Sequence, residues 1–475
     1  MDNMQRRTVL VIAIVLMAFV GNAKKKKKIK LKSADELKTE KVYTSLNEAM
    51  QNKRSVYVLK LERQQLKQLP EKFYKLNRIQ ILHLGYNEFT SLPDVVCMLP
   101  NLQELHIQGN KLIKLNEKLG NLPLLQKLII NNNRLSYLPN SIEKCAKLEV
   151  IKAGENQLLA LPEKIGNCKE IVELDLFSNR LKTLPKSIGQ LSKLKYLDLD
   201  WNSLESLPEE VGGCRELETL RLEKNQLSKL PESMGNYSKL KEVKLSNNVL
   251  VSLPENIGNW QISTLNLENN QLVNLPESIS KLSITKLNVQ KNKLQELPKS
   301  LHLTNSLIEL RVNNNQLKVI TGENINISSL KLLDLSINRI AKTEGNFDKL
   351  SNLEFLDLEL NKLNKLSMNM SSWKSLKNLN LAQNNIGSID QNISALTALE
   401  TLDFSDNRIN QISRSIKKLT ALKKLNLSNN EIRLIPMEIC GLPKLTQLNL
   451  AGNNLFKWHV KQINKKKKAI LKVQF

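Results

Sequence analysis

The sequence predicts an α/β solenoid: short units stacked in one direction, each with one short strand and one helical or irregular return. Three observations predict it. An asparagine recurs behind the pattern L-x-L-x-x-N-x-L at Asn87, Asn110, Asn133, Asn156, Asn179, Asn202, Asn225, Asn248, Asn270, Asn292, Asn315, Asn338, Asn361, Asn384, Asn407, Asn430 and Asn453. The spacing is 23 residues throughout except for two steps of 22, from Asn248 through Asn270 to Asn292. Leu59-x-Leu61-x-x-Gln64-x-Leu66 extends the frame one period upstream, so there are 18 units, with Gln64 marking unit 1 and Asn87 unit 2. Finally, aromatics are only 4% of the 475 residues against 41% hydrophobics, so the core must be aliphatic. A fixed period of this length marks a repeat architecture before any count of domains.

The chain opens with a segment that reads as a signal peptide over residues 1–23. Arg6 and Arg7 precede an apolar run from Val9 to Val20, and Gly21-Asn22-Ala23 supplies small residues for cleavage. The run is too short to span a bilayer, which needs roughly 20 apolar residues. A basic linker, residues 24–40, follows. Its Lys24–Lys28, Lys30 and Lys32 oppose translocation, so an uncleaved, cytoplasmic chain stands as the alternative. Residues 41–58 form an N-terminal cap with a short helix, opened by Ser45-Leu-Asn-Glu48 as a capping box.

Repeats fill residues 59–455. In a unit such as unit 7, Leu197 and Leu199 point inward from a short strand while Tyr196, Asp198 and Asp200 point out. The asparagine amide, with donors and an acceptor, satisfies backbone groups where the chain turns inward after the strand. Gln64 is tolerated only because it ends the stack. The following Leu-Pro pairs, from Leu69-Pro70 to Leu297-Pro298, end strand pairing because proline donates no N–H. Proline is absent from units 12 to 16, where Thr343 puts a hydroxyl at a core position. Two sub-arrays within one continuous core are expected. Residues 456–475 form a C-terminal cap and basic tail, with a helix over Trp458–Lys468 and a last strand over Ile470–Phe475.

The unit Leu184-Pro-Lys-Ser-Ile-Gly-Gln-Leu-Ser-Lys-Leu-Lys-Tyr-Leu-Asp-Leu-Asp-Trp-Asn-Ser-Leu resembles leucine-rich repeats of the 23-residue bacterial class, with plant Ras-group and Scribble-like scaffolds similar as well. The resemblance implies a horseshoe with a parallel concave β-sheet of about 18 strands and short convex segments. It also implies a non-enzymatic, protein-binding role.

Chemistry has little material. Eighteen units and two caps leave no segment for a catalytic domain, and no phosphate loop, G-x-S-x-G, H-E-x-x-H or C-x-x-C occurs. No catalytic residue, metal or cofactor is expected. Cys145, Cys168 and Cys214 share one phase, Cys97 and Cys440 share the neighbouring glycine phase, and all read as buried small hydrophobes. His83 and His106 occupy the same outward position of units 2 and 3, with Glu104 on the same face, and read as two solvated neighbouring imidazoles.

The candidate partner-binding residues lie on units 6 to 8: Glu173, Asp175, Phe177, Tyr196, Asp198, Asp200, Trp201 and Arg221, with Arg180 at the rim. Three aromatics among four carboxylates suit a basic or amphipathic protein segment. A weaker acidic stretch comprises Asp334, Phe355, Asp357, Glu359 and Asp403. The net charge is +25, of which the two lysine tails supply 14. The tails attract polyanions or anionic membrane surfaces, but no aromatics interleave with them and no nucleic-acid-reading motif accompanies them. The expected function is therefore a monomeric scaffold, exported or in the cell envelope, binding a protein or peptide on its concave face. Polyanion or membrane-surface binding and a cytoplasmic signalling scaffold are the alternatives.

Overall fold

The computed structural model describes residues 30–366 and 368–475; the signal-peptide reading and Lys24–Lys28 lie outside the described residues. Each unit folds as its alternation dictates. A three-residue strand, such as Glu173–Asp175 or Tyr196–Asp198, turns its first and third residues to one face and buries the middle leucine against the core. Successive strands pair in parallel without register slip, as Leu174↔Leu197↔Leu220 shows. The result is an open parallel sheet of 20 strands. Eighteen belong to the repeats; the expected count is exceeded by Val42–Tyr43 at one end and Lys472–Gln474 at the other. The outer side returns through short 3-10 turns such as Lys186–Gln190. These turns pack so closely that a Cβ on Gly189 would stand 1.9 Å from the Glu210 carbonyl, which is why the Ile-Gly pair recurs.

The asparagine ladder is complete. Asn202 Nδ2 donates to the carbonyls of Leu199 at 3.1 Å and of Leu176, one unit back, at 3.0 Å. Its Oδ1 accepts the Leu181 N–H at 3.0 Å. Gln64 corrects the expectation: its extra methylene carries the amide out to the cap, where Nε2 donates to the Thr44 carbonyl at 2.8 Å. The longer side chain is a bridge to the cap rather than a tolerated misfit.

A second ladder, on the outer side, went unread in the sequence. Cys168 and Cys214 Sγ approach carbonyls of the preceding unit at 3.2 and 3.3 Å. Tyr237 Oη, Trp260 Nε1 and Trp373 Nε1 donate to equivalent carbonyls at 2.8, 2.9 and 3.2 Å. All five cysteines are buried and free, so no disulfide joins Cys145 to Cys168. Burial pushes the Cys168 and Cys214 thiols up to about 12, leaving them neutral and unreactive.

The proline argument is visible as its converse. Where Pro is missing, extra parallel pairs form: Val319–Thr321 with Lys342–Glu344, and Ser388–Ile389 with Gln411–Ile412. Ser413, in the proline position, donates its N–H to the Ile389 carbonyl at 2.8 Å, a bond proline could not make. Thr343 is buried there and its hydroxyl has no partner. It faces a small apolar void lined by Ile320, Phe347, Leu350 and Trp373. Replacing Thr343 by Val keeps the shape and removes an orphaned polar atom, so the variant should gain about 1 kcal/mol, read as a raised urea midpoint with an unchanged slope.

One hydrophobic core runs from Tyr43 to Leu471. The N-terminal lid is more extensive than expected. Part of the segment read as linker is folded: Ala34–Lys38 is a helix in which Ser33 and Glu36 form a full capping box and Leu37 is buried. Lys32 clamps it to unit 2, where the Gln80 amide bonds both its backbone N–H and its carbonyl, at 2.8 and 2.9 Å. Ser45 caps the next helix, Leu46–Gln51, through the Glu48 N–H, without the reciprocal bond expected of a capping box. At the other end the helix is Lys457–Lys466.

Candidate functional site

Units 6 to 8 bring all eight expected residues onto neighbouring strands, but not in the exposed state expected of all of them. Asp198 and Asp200 are buried. The reason is a turn. Asp198 Oδ1 accepts the Asp200 N–H at 3.0 Å, and Asp175 Oδ1 accepts the Phe177 N–H at 3.2 Å. Asp or Asn occupies this third strand position in eight further units, and each makes the same bond two residues on. These side chains close an Asx turn as the chain leaves the strand. The recurrent L-[DN]-L is the legible signal, and it corrects the expectation of free carboxylates at Asp175 and Asp198.

The remaining charges are also committed internally. The Tyr196 hydroxyl donates to Asp198 Oδ2 at 2.9 Å. Arg221 lies 3.5 Å from the same carboxylate and 3.0 Å from Glu242, with its guanidinium over the Tyr196 ring. Glu173 pairs with Lys152 at 2.8 Å. Asp200 Oδ1 accepts the Glu223 N–H at 2.6 Å. Burial, reinforced by the neighbouring Asp198, pushes the Asp200 carboxyl up to about 7. Burial also raises Asp175. The acidic stretch at Asp334, Asp357 and Asp403 is built the same way, each closing its turn, and burial lifts Asp357 to about 6.

What stays available is aromatic. Trp201 is 51% exposed, Phe177 and Tyr196 are half-buried, and Arg180 is exposed beside them. Trp201 sits at φ 57°, a left-handed position repeated in every unit and filled elsewhere by Gly109 and Asn132 but also by Tyr86, Lys224, Ile337 and Leu360. Lys224 covers one face of the indole at 3.4 Å. Phe177 packs closely on Gly154 of the preceding unit, where a Cβ would stand 3.1 Å from the Phe177 carbonyl.

His83 and His106 stack at 4.2 Å with an interplanar angle of 21°. Glu62 lies 3.4 Å from His83 and Glu104 3.2 Å from His106. Burial and the neighbouring His106 push the His83 imidazole below its ordinary value. The His106 hydrogen bond, with help from Lys127, holds Glu104 down to about 2. Among the described residues no group of three His, Cys, Asp or Glu side chains is placed to hold a metal ion.

A family model described as a leucine-rich repeat region matches residues 179–264, and one described as a leucine rich repeat matches 54–112, 374–432 and 413–455. A solved leucine-rich repeat protein from Leptospira interrogans is 31% identical, over 92% of this chain and 100% of that one, with a TM-score of 0.56. The chain belongs to the leucine-rich repeat family. Other solved members share this repeat architecture. The Arabidopsis receptor kinase HAESA, in complex with the peptide hormone IDA and the co-receptor SERK1, is 28% identical over 84% of this chain and 70% of that one, with a TM-score of 0.58. YopM from Yersinia enterocolitica is 25% identical over 86% of this leucine-rich repeat chain and 85% of its own, with a TM-score of 0.57. No curated protein sequence matches the chain.

Proposed function

We propose that this leucine-rich repeat protein is an exported interaction scaffold whose concave face takes an extended, amphipathic polypeptide across units 6 and 7. The observation that carries the reading is Trp201: an indole half exposed one unit on from partly exposed Phe177. The repeat fixes its left-handed backbone in every unit, so what sets this unit apart is the side chain it carries, an exposed indole with Tyr196 on the same face. Aromatic anchors of this kind dominate binding at protein interfaces. The carboxylates answer to the turns, so the partner is held by apolar and aromatic contact, with Glu173 and Arg180 at the rim. Support comes from relatives described as bound to peptides, HAESA with IDA and RGFR1 with RGF2.

The test is a peptide selected from a random library against the full chain. A Phe177→Ala/Trp201→Ala variant should weaken it about 30-fold, equivalent to about 2 kcal/mol. Affinity for the unaltered chain should persist in ~0.5 M salt, where screening removes contacts between exposed charges. Selected peptides indifferent to the double substitution would remove units 6 and 7 from consideration. Export is checked separately: the mature N-terminus should begin near residue 24, and a chain found in the cytoplasm with Met1 in place would contradict it.

A further inference from the structure

The C-terminal cap carries a surface that peptide binding leaves unused. Residues 439–475 contain eight lysines and neither Asp nor Glu. The helix Lys457–Lys466 buries His459 and Ile463 against the last repeat. The Ile435 N–H donates to His459 Nε2 at 3.0 Å, which fixes the helix in place. Lys457, Lys461 and Lys465, spaced i, i+4, i+8, therefore share the opposite, exposed face. Folding also corrects the expectation of tails without aromatics. Trp458, 53% exposed, stands on the same side of the helix as those lysines, and its ring stacks on that of exposed Phe456 at 6.0 Å. Ile470, 66% exposed, and Phe475 add further uncovered apolar surface at this end of the stack.

We propose that this cap docks the protein on an anionic lipid bilayer. A soluble polyanion would engage the lysines and leave Phe456, Trp458 and Ile470 in water. A bilayer interface takes both, because aromatic side chains settle at headgroup depth while lysines lie over anionic headgroups. The ten-residue helix spans only about 15 Å, so it lies along the interface. No helix among the described residues is long and apolar enough to cross a membrane. The anchoring His459 bond means that the face is presented ready-formed, and docking leaves the concave sheet open to its peptide.

The experiment uses the full chain and large unilamellar vesicles, either pure phosphatidylcholine or phosphatidylcholine with 30% phosphatidylserine. Co-sedimentation is expected with the anionic vesicles alone. Gln at Lys457, Lys461, Lys465 and Lys466 together should weaken it at least about 100-fold, at roughly fivefold per lysine. Phe456→Ser/Trp458→Ser should weaken it about tenfold or more while binding heparin as the unaltered chain does. In the unaltered chain, brominated lipid should quench part of the tryptophan emission, and Trp458→Phe, which keeps an aromatic ring and the fold, should abolish that quenching. Absence of binding to anionic vesicles, an unchanged affinity in the lysine variant, or an unquenched Trp458 would each overturn the proposal. Equal vesicle binding by the aromatic variant and the unaltered chain would assign the lysines to soluble polyanions instead.

Discussion

Asn202→Leu is expected to lower the unfolding free energy by about 3–5 kcal/mol, far more than a typical single substitution. The replacement matches in size, so the loss is not one of packing. It strands the Leu176 and Leu199 carbonyls and the Leu181 N–H, three groups that water does not reach in the stack. Each unsatisfied buried group costs about 1–3 kcal/mol. Because units touch only their neighbours, damage in unit 7 also weakens coupling between the units on either side of it. Urea unfolding followed by circular dichroism should show a lower midpoint and a broadened or divided transition. Asn454→Leu, on an exposed asparagine outside the ladder, should change stability by no more than about 0.5 kcal/mol. A loss below about 1 kcal/mol at Asn202 would mean that the ladder is incidental.

Raising the pH from 5 to 8 is expected to destabilise the protein through Asp200, and Asp200→Asn is expected to cancel much of that loss. In the folded chain its carboxyl is pushed up to about 7 by burial and by Asp198, against about 3.9 in an unfolded chain. Between these values the folded state binds the proton more tightly than the unfolded one. Stability from this group is therefore fully present below about pH 4 and is lost as pH rises through about 7. The difference amounts to about 2–4 kcal/mol at pH 8. Asp357, lifted to about 6, adds a smaller effect of the same sign. An Asn at position 200 keeps an oxygen for the Glu223 N–H and carries no charge. The variant should match the parent near pH 4.5 and exceed it at pH 8, in paired urea titrations. A parent whose stability climbs steadily from pH 5 to 8 would contradict the assignment.

The candidate site shows where sequence reasoning stops. The period placed Glu173, Asp175, Phe177, Tyr196, Asp198, Trp201 and Arg221 on one surface, since alternation along a strand and parallel stacking leave no other arrangement. It could not say that Asp175 and Asp198 spend an oxygen on the turn, because the bond depends on backbone direction at the strand's end. The same holds at Asp200, where the Glu223 N–H comes from the next unit. The outer ladder escaped for a related reason. Cys168, Cys214, Tyr237 and Trp260 look unlike one another as residues, and only their common distance from a carbonyl one unit back unites them.

By itself, then, the amino-acid order determined the repeat, the strand in each unit, the asparagine ladder and the aliphatic core, because these follow from contacts that recur at a constant offset along the chain. Tertiary structure decided which polar groups remain for a partner. It spent Asp198 and Arg221 on neighbouring units, folded residues 34–38 into the lid, and set Trp458 among lysines on an exposed face. Hydrogen-bond partners and exposure are settled by distance and direction across units, and these exist only once the stack has closed.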